Sequence, residues 1–156
     1  MINGAHMKKL LYVFVLSIVV SKSSVIASEN GTAPTYQVSP IGWIRKTGDK
    51  TFIEIDEQFQ SALLGIEQFD SIWVLYWFDR NDTPQQRSIL QVHPQANPDN
   101  PLRGVFATRA PVRPNLIALS RCRLVSVKDN IVEIETIDAF ANTPVLDIKP
   151  YARAID

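Results

Sequence analysis

Residues Gly104 to Ser120 read GVFATRAPVRPNLIALS. Arg109, Pro111, Arg113, Pro114 and Asn115 fall within seven consecutive residues, between two apolar stretches. Each proline fixes φ and removes a backbone donor, so this segment is neither a helix interior nor a central strand. It reads as a stiff loop carrying two guanidinium groups and joined to core at both ends. Ordered loops of this kind are where binding groups are usually placed. The plainer alternative is a proline-stiffened connection with solvated arginines.

Outward from this loop the chain reads as strands. Downstream, Leu116–Lys128 and Ile131–Ile137 form two long apolar runs joined by Asp129-Asn130, a hairpin signal without the usual glycine. Val132, Ile134 and Thr136 alternate with Glu133 and Glu135, which leaves one face wet. Upstream, Ser71–Phe78 (SIWVLYWF) is the strongest strand candidate, and its composition predicts a central strand buried on both faces. It ends in the polar cluster Asp79-Arg80-Asn81-Asp82. Pro84–Arg87 reads as a turn, Ser88–Val92 as a short strand, and His93–Leu102, with three prolines, as an exposed loop. Tyr36–Arg45 starts the domain, Thr47-Gly48-Asp49-Lys50 turns, and Phe52, Ile53 and Ile55 mark another strand. Phe59, Leu63 and Ile66 recur at helical spacing, with Asp56 as a cap and Gly65 as a stop. That predicts one short helix over Glu57–Leu64. Many short strands and one helix imply a mainly β fold, a small antiparallel β-barrel.

The chain has 156 residues, enough for one domain with a modest core. Its N-terminus reads as an address. Lys8 and Lys9 precede the apolar run Leu10–Val20, and Ala27 supplies a small residue for cleavage. Residues 1–28 therefore read as a signal peptide or leader, 29–35 as a linker, and 36–153 as the domain. This predicts an exported, periplasmic or secreted protein, or a cytoplasmic one if the leader is not a true signal. Membrane attachment would come only through an uncleaved leader. Three of the 16 basic residues lie in the leader, which has no acid, so the remainder is mildly acidic. Asn100–Lys128 nevertheless contains no Asp or Glu and carries Arg103, Arg109, Arg113, Arg121, Arg123 and Lys128. Such a stripe suits a phosphate or a carboxylate, or is solvated and balanced across the sheet. The single cysteine, Cys122, forms no internal disulfide and reads as a buried thiol. His93 has no neighbouring Cys or His, so no zinc site is expected.

Three separated motifs resemble the TrmO-like (TsaA-like) family of S-adenosylmethionine-dependent tRNA methyltransferases. They are Leu64–Trp73 (LGIEQFDSIW), Gly104–Asn115 (GVFATRAPVRPN) and Val145–Tyr151 (VLDIKPY). The resemblance covers Tyr36 to about Arg153. It implies a β-barrel, S-adenosyl-L-methionine as cofactor, tRNA as partner, and a homodimer with its pocket near the subunit interface; the lack of a Cys/His cluster separately predicts no metal. The acceptor it implies is the exocyclic amino group of a hypermodified adenosine beside the anticodon. By the same resemblance the cofactor pocket draws on Asp79 and Arg80, on Arg109, on Leu119, and on the turn Ala141-Asn142-Thr143-Pro144. Arg113 and Asn115 hold the loop or face the substrate. Methyl transfer from a sulfonium mainly needs positioning, so the lack of a catalytic His or Cys is no objection.

The chain departs from the family pattern at the expected pocket. Leu116 and Ala118 stand where the pattern has proline and glycine, Ala141 where it has aspartate, and Asp79 where relatives carry histidine. Two function classes therefore remain open from sequence: the methyltransferase, or an exported, non-catalytic barrel that binds a small ligand or a protein.

Overall fold

A computed structural model describes residues 34–154, so the leader and most of the linker lie outside the described residues. The strands are β1 (Gly42–Thr47), β2 (Lys50–Ile55), β3 (Ser71–Trp77), β4 (Gln91–Val92), β5 (Arg103–Gly104), β6 (Ile117–Lys128), β7 (Ile131–Ile134) and β8 (Pro144–Pro150). Six of them close into an antiparallel barrel in the order β1-β2-β7-β6-β3-β8. β4 and β5 form a separate two-stranded ribbon. The fold class expected from sequence, a small antiparallel barrel with few helical residues, is the one observed.

Alternation builds the core. Ile44, Ile53, Ile72, Val74 and Val132 are fully buried, at every second position of strands whose intervening residues face outward, and Val145 of β8 joins them. Burying a branched aliphatic side chain of this kind contributes roughly 1.5–3 kcal/mol. Two-residue turns set the register. Thr47 pairs with Lys50 around Gly48, whose φ is 60°. Lys128 pairs with Ile131 around Asp129-Asn130, where Asp129 takes φ 56° in place of glycine. Asn130 secures that turn by donating its side-chain amide to the Ile55 carbonyl at 2.6 Å while its own carbonyl accepts from the Ile55 N–H at 2.9 Å.

Several local expectations are corrected. β3 is buried on one face only: Ile72, Val74 and Tyr76 enter the core, while Trp73, Leu75 and Trp77 lie half-buried on the outside. Its aromatics misled because large rings cover an outer face as readily as they fill a core. The segment after Asp56 is a 3-10 stretch, Glu57–Leu63, not an α-helix. Asp56 makes no side-chain cap there, and only Leu63 is buried. With so narrow an apolar contact, little favours an α-turn over the tighter one. Pro84–Arg87, expected as a turn, is instead the α-helix of the described residues, a single turn long. Thr83 caps it by accepting from the Gln86 N–H at 3.2 Å, with proline at the first position. The strand expected over Ser88–Val92 shrinks to Gln91–Val92, and Ile131–Ile137 to Ile131–Ile134.

Cys122 is buried, and burial pushes its thiol up to about 11, which makes it an inert core group. The tightest backbone approach is at Gly42, where a Cβ would stand 2.3 Å from the Glu54 carbonyl oxygen and 2.8 Å from the Ile55 Cα. Neither is a flexible group. Gly42→Ala is expected to destabilise the domain by roughly 3 kcal/mol, the upper range for overpacking. At Gly48 the strain of a left-handed alanine alone should cost about 1–2 kcal/mol, since nothing lies within 4 Å of its would-be Cβ. Urea unfolding of both variants checks the order; a Gly48→Ala variant less stable than Gly42→Ala would contradict it.

Candidate functional site

The proline-rich loop is held by guanidinium groups. Arg113 donates through Nη2 to the carbonyls of Val105 (2.9 Å) and Thr108 (3.3 Å), and through Nη1 to that of Ile117 (3.5 Å). From outside, Arg87 donates to the Pro114 carbonyl at 2.8 Å and pairs with Asp82 at 2.8 Å. The Trp77 indole N–H also reaches Asp82, at 3.1 Å, and Arg87 lies over the Trp77 ring. The Arg87 hydrogen bond, then that of Trp77, holds the Asp82 carboxyl below its usual value. At the end of the loop Leu116 is fully buried with φ 49°. The loop is thus fixed at both ends, and the guanidinium of Arg109 stands between its anchors. Among the described residues Arg109 has no hydrogen-bond or ion-pair partner, and it lines a cavity of about 680 Å³.

Five segments wall this cavity: β1 at Lys46, the end of β3 with Asp79–Asn81 beyond it, the Arg109 loop, the start of β6 and the segment from Asp138 to Thr143. Its size is within the range of small-molecule sites. Tyr76 sits at its base. The Tyr76 hydroxyl donates to the Asp138 carbonyl at 2.9 Å and lies 3.2 Å from Ser120 Oγ. Desolvation raises the phenol's pKa, the Ser120 hydrogen bond opposing it, so Tyr76 is neutral and serves as a strut for the Asp138 segment.

One wall is an open strand edge. Leu116 and Leu124 bond across to the β3 side, through Phe78 N→Leu116 O (2.9 Å) and Leu124 N→Asp70 O (2.9 Å). Arg123 bonds the opposite way, accepting from the Glu135 N–H at 3.0 Å. Antiparallel alternation therefore turns the backbone groups of Leu119 and Arg121 away from β3. Among the described residues no strand covers them there, because β7 ends at Ile134. A residue with a free N–H and C=O side by side matches a ligand edge that carries one acceptor and one donor.

The structure brings Asp79, Arg80, Arg109, Arg113, Leu119 and Thr143 to this cavity. It does not bring Ala141, Asn142, Pro144 or Asn115 to its lining. Asn142 has φ 65°, bonds Ile44 through its N–H at 2.7 Å, and accepts from Arg45 through its side chain. Residues 141–144 therefore act mainly as the strap between β8 and β1, with Thr143 reaching the cavity wall. Arg80 stacks on the Phe140 ring, 3.9 Å from its centroid. Sequence reasoning missed Tyr76, Lys46, Phe106, Ser120, Asp138 and Phe140. The proximity of Asp138 and Phe140 to the Asn142 turn was a usable signal; Lys46 gave none. Ala118 is 2% exposed, so its methyl group is largely taken up by the core and the cavity remains open beside it. Asp138, three residues before Ala141, is an acidic residue that does line the cavity, as Asp79 does. Among the described residues no group of three or more His, Cys, Asp or Glu is placed to hold a metal ion.

Comparison with known proteins places these features in a family context. Residues 36–156 match the family model described as the tRNA-methyltransferase O N-terminal domain. A probable S-adenosyl-L-methionine-binding protein of Methanocaldococcus jannaschii is 40% identical over 121 residues, 78% of this chain and 96% of that relative. The tRNA (adenine(37)-N6)-methyltransferase of Homo sapiens is 38% identical over 97 residues, covering 62% of this chain and 21% of the human protein. The crystal structure of TrmO from Pseudomonas aeruginosa gives a TM-score of 0.62 at 32% identity, covering 81% of this chain and 59% of that one. The chain thus matches nearly all of the archaeal relative but under two thirds of the bacterial chain and far less of the human one.

Tyr76→Phe tests the strut. Losing one hydroxyl leaves the Asp138 carbonyl and Ser120 without that partner and should cost about 1–2 kcal/mol. It should also raise amide exchange in residues 136–140 more than in β2. Unchanged exchange in that segment would contradict the assignment.

Proposed function

This chain belongs to the TrmO family, and we propose on that premise that it is an S-adenosyl-L-methionine-dependent methyltransferase. Its proposed acceptor is the exocyclic amino group of a hypermodified adenosine beside the anticodon of a tRNA. The observation that carries this reading is the guanidinium of Arg109, unpaired among the described residues, on a pinned loop that lines the cavity.

The residues present suit the donor's functional groups. Arg109 can grip the carboxylate bidentately. Asp79 offers a carboxylate to the ammonium group or the ribose hydroxyls. The exposed backbone of Leu119 offers a donor and an acceptor to the adenine edge, beside the apolar side chains of Leu119 and Ile117. When bound, the sulfonium supplies a methyl group already activated by its positive charge. The chain then has to orient two partners and exclude water, for which no acid–base pair is required.

The outer face of β3 and β6 supports a homodimer. Leu75 pairs with Leu119 and Trp77 with Ile117 across the strands, and Ile117 and Leu119 are 41% and 44% exposed. Phe106, on the adjoining loop, is 84% exposed. The apolar strip continues into the cavity mouth, so a second copy seated on it would also narrow the site. Leu75→Glu should shift the protein to monomer in sedimentation equilibrium; a wild-type protein that is monomeric at tens of micromolar would remove the dimer.

Titration calorimetry with S-adenosyl-L-methionine tests the donor site. Arg109→Lys should bind roughly ten- to a hundred-fold more weakly, about 1.5–3 kcal/mol for one lost charge-assisted bond, with an unchanged melting temperature. Equal, measurable affinities would take Arg109 out of the site. No binding by the wild type would overturn the donor reading and favour a barrel that holds another small ligand.

A further inference from the structure

Beside the main cavity lies a second one of about 520 Å³, and the two share Arg109, Ser120 and Asp138 as a dividing wall. Its other surfaces differ in kind. Trp73 and Tyr151 meet edge to face, with ring centroids 5.7 Å apart and planes at 76°. Arg121 lies over the Tyr151 ring, 4.7 Å from its centroid. The fold fixes this group from three strands. Trp73 pairs with Arg121 on β6 and with Lys149 on β8, and the Tyr151 N–H bonds the Ser71 carbonyl at 3.0 Å. The planar groups therefore stand on the barrel wall rather than on a mobile loop.

We propose that this second cavity is a nucleobase subsite that stacks an aminopurine on the Trp73–Tyr151–Arg121 cluster, with the ring's exocyclic amino group turned toward Asp138. The inference deepens the methyltransferase reading and rests on it for the role of the shared wall. Three features select this ligand. Aromatic faces and a guanidinium plane bind flat heterocycles by stacking, as in single-stranded nucleic-acid recognition. Asp138 and Ser120 supply the acceptors that an exocyclic amine needs, at the one wall the two cavities share. Arg121 and Arg109 lie within a run of 29 residues, Asn100–Lys128, that has no acidic side chain, which suits the phosphate a nucleotide carries. A reaction between two substrates needs two compartments that meet. Here the guanidinium of Arg109 stands on the wall they share, and the smaller compartment has the stacking surface.

The probe is adenosine 5′-monophosphate, titrated by NMR into the protein saturated with S-adenosylhomocysteine so that the larger cavity is filled. The wild type should still bind the nucleotide, with shift changes centred on Trp73 and Tyr151. Arg121→Ala and Tyr151→Leu should each weaken that binding at least fivefold and leave the affinity for S-adenosylhomocysteine unchanged. Arg121 is exposed, so its variant is expected to fold even if the Tyr151 variant does not. Loss of all nucleotide binding on saturation with S-adenosylhomocysteine would mean a single adenine site and overturn the subsite. Equal nucleotide affinities for wild type and Arg121→Ala would overturn it as well. If S-adenosylhomocysteine itself fails to bind, the donor reading falls separately. The nucleotide titration of the unloaded protein then decides the subsite by the same Arg121→Ala comparison.

Discussion

The barrel depends on a narrow seam. β1 and β8 pair through only Gly42↔Val145 and Trp43↔Pro144, extended by backbone bonds from Ile41 to Val145, Ile44 to Thr143 and Asn142 to Ile44. On the other side of β1, the Glu54 carbonyl of β2 fills the space where a side chain at position 42 would begin, so the strand that carries the seam needs glycine there. Thr143, a wall of the main cavity, hangs from this seam. So does the path of residues 138–142, which carries Asp138 and Phe140 to the site. Closing the barrel and shaping the cavity are thus one packing problem, solved by the same few backbone bonds.

Much of this was legible in the sequence where the signal was local. Apolar, β-favouring composition marked β3 and β6, period-two alternation marked β7, and Asp129-Asn130 marked the hairpin even without glycine. Two prolines and two arginines marked the loop. What stayed hidden depended on partners far along the chain. Arg87 pins the loop through the Pro114 carbonyl, 27 residues away, and nothing near Arg87 signals that task. Tyr76 looks like any inward-facing strand residue, yet its hydroxyl meets Asp138 across 62 residues. The expected helix at Glu57–Leu64 failed for the opposite reason: its apolar spacing was right, but the barrel offers it only one buried contact, at Leu63.

The departures from the family pattern look different once placed in space. Leu116 stands where the pattern has proline, but at φ 49° proline could not occupy this backbone. The change is therefore one of local chain path as well as side chain. Ala118 puts its methyl group into the core. Ala141 carries no carboxylate, while Asp138, three residues earlier, is an acidic residue that lines the cavity. These substitutions leave the cavity open.

The uncovered edge of β6 has a second consequence. Exposed N–H and C=O groups at Leu119 and Arg121 form a template on which another extended chain could add as a strand, the usual route to edge-to-edge aggregation. The flanking sequence limits that hazard. Arg121 and Arg123 put charge on the edge strand, and the prolines at 111 and 114 prevent the strand from extending backwards into the loop. What remains is a gap only a few residues long, wide enough for a flat small molecule and too short for stable strand addition.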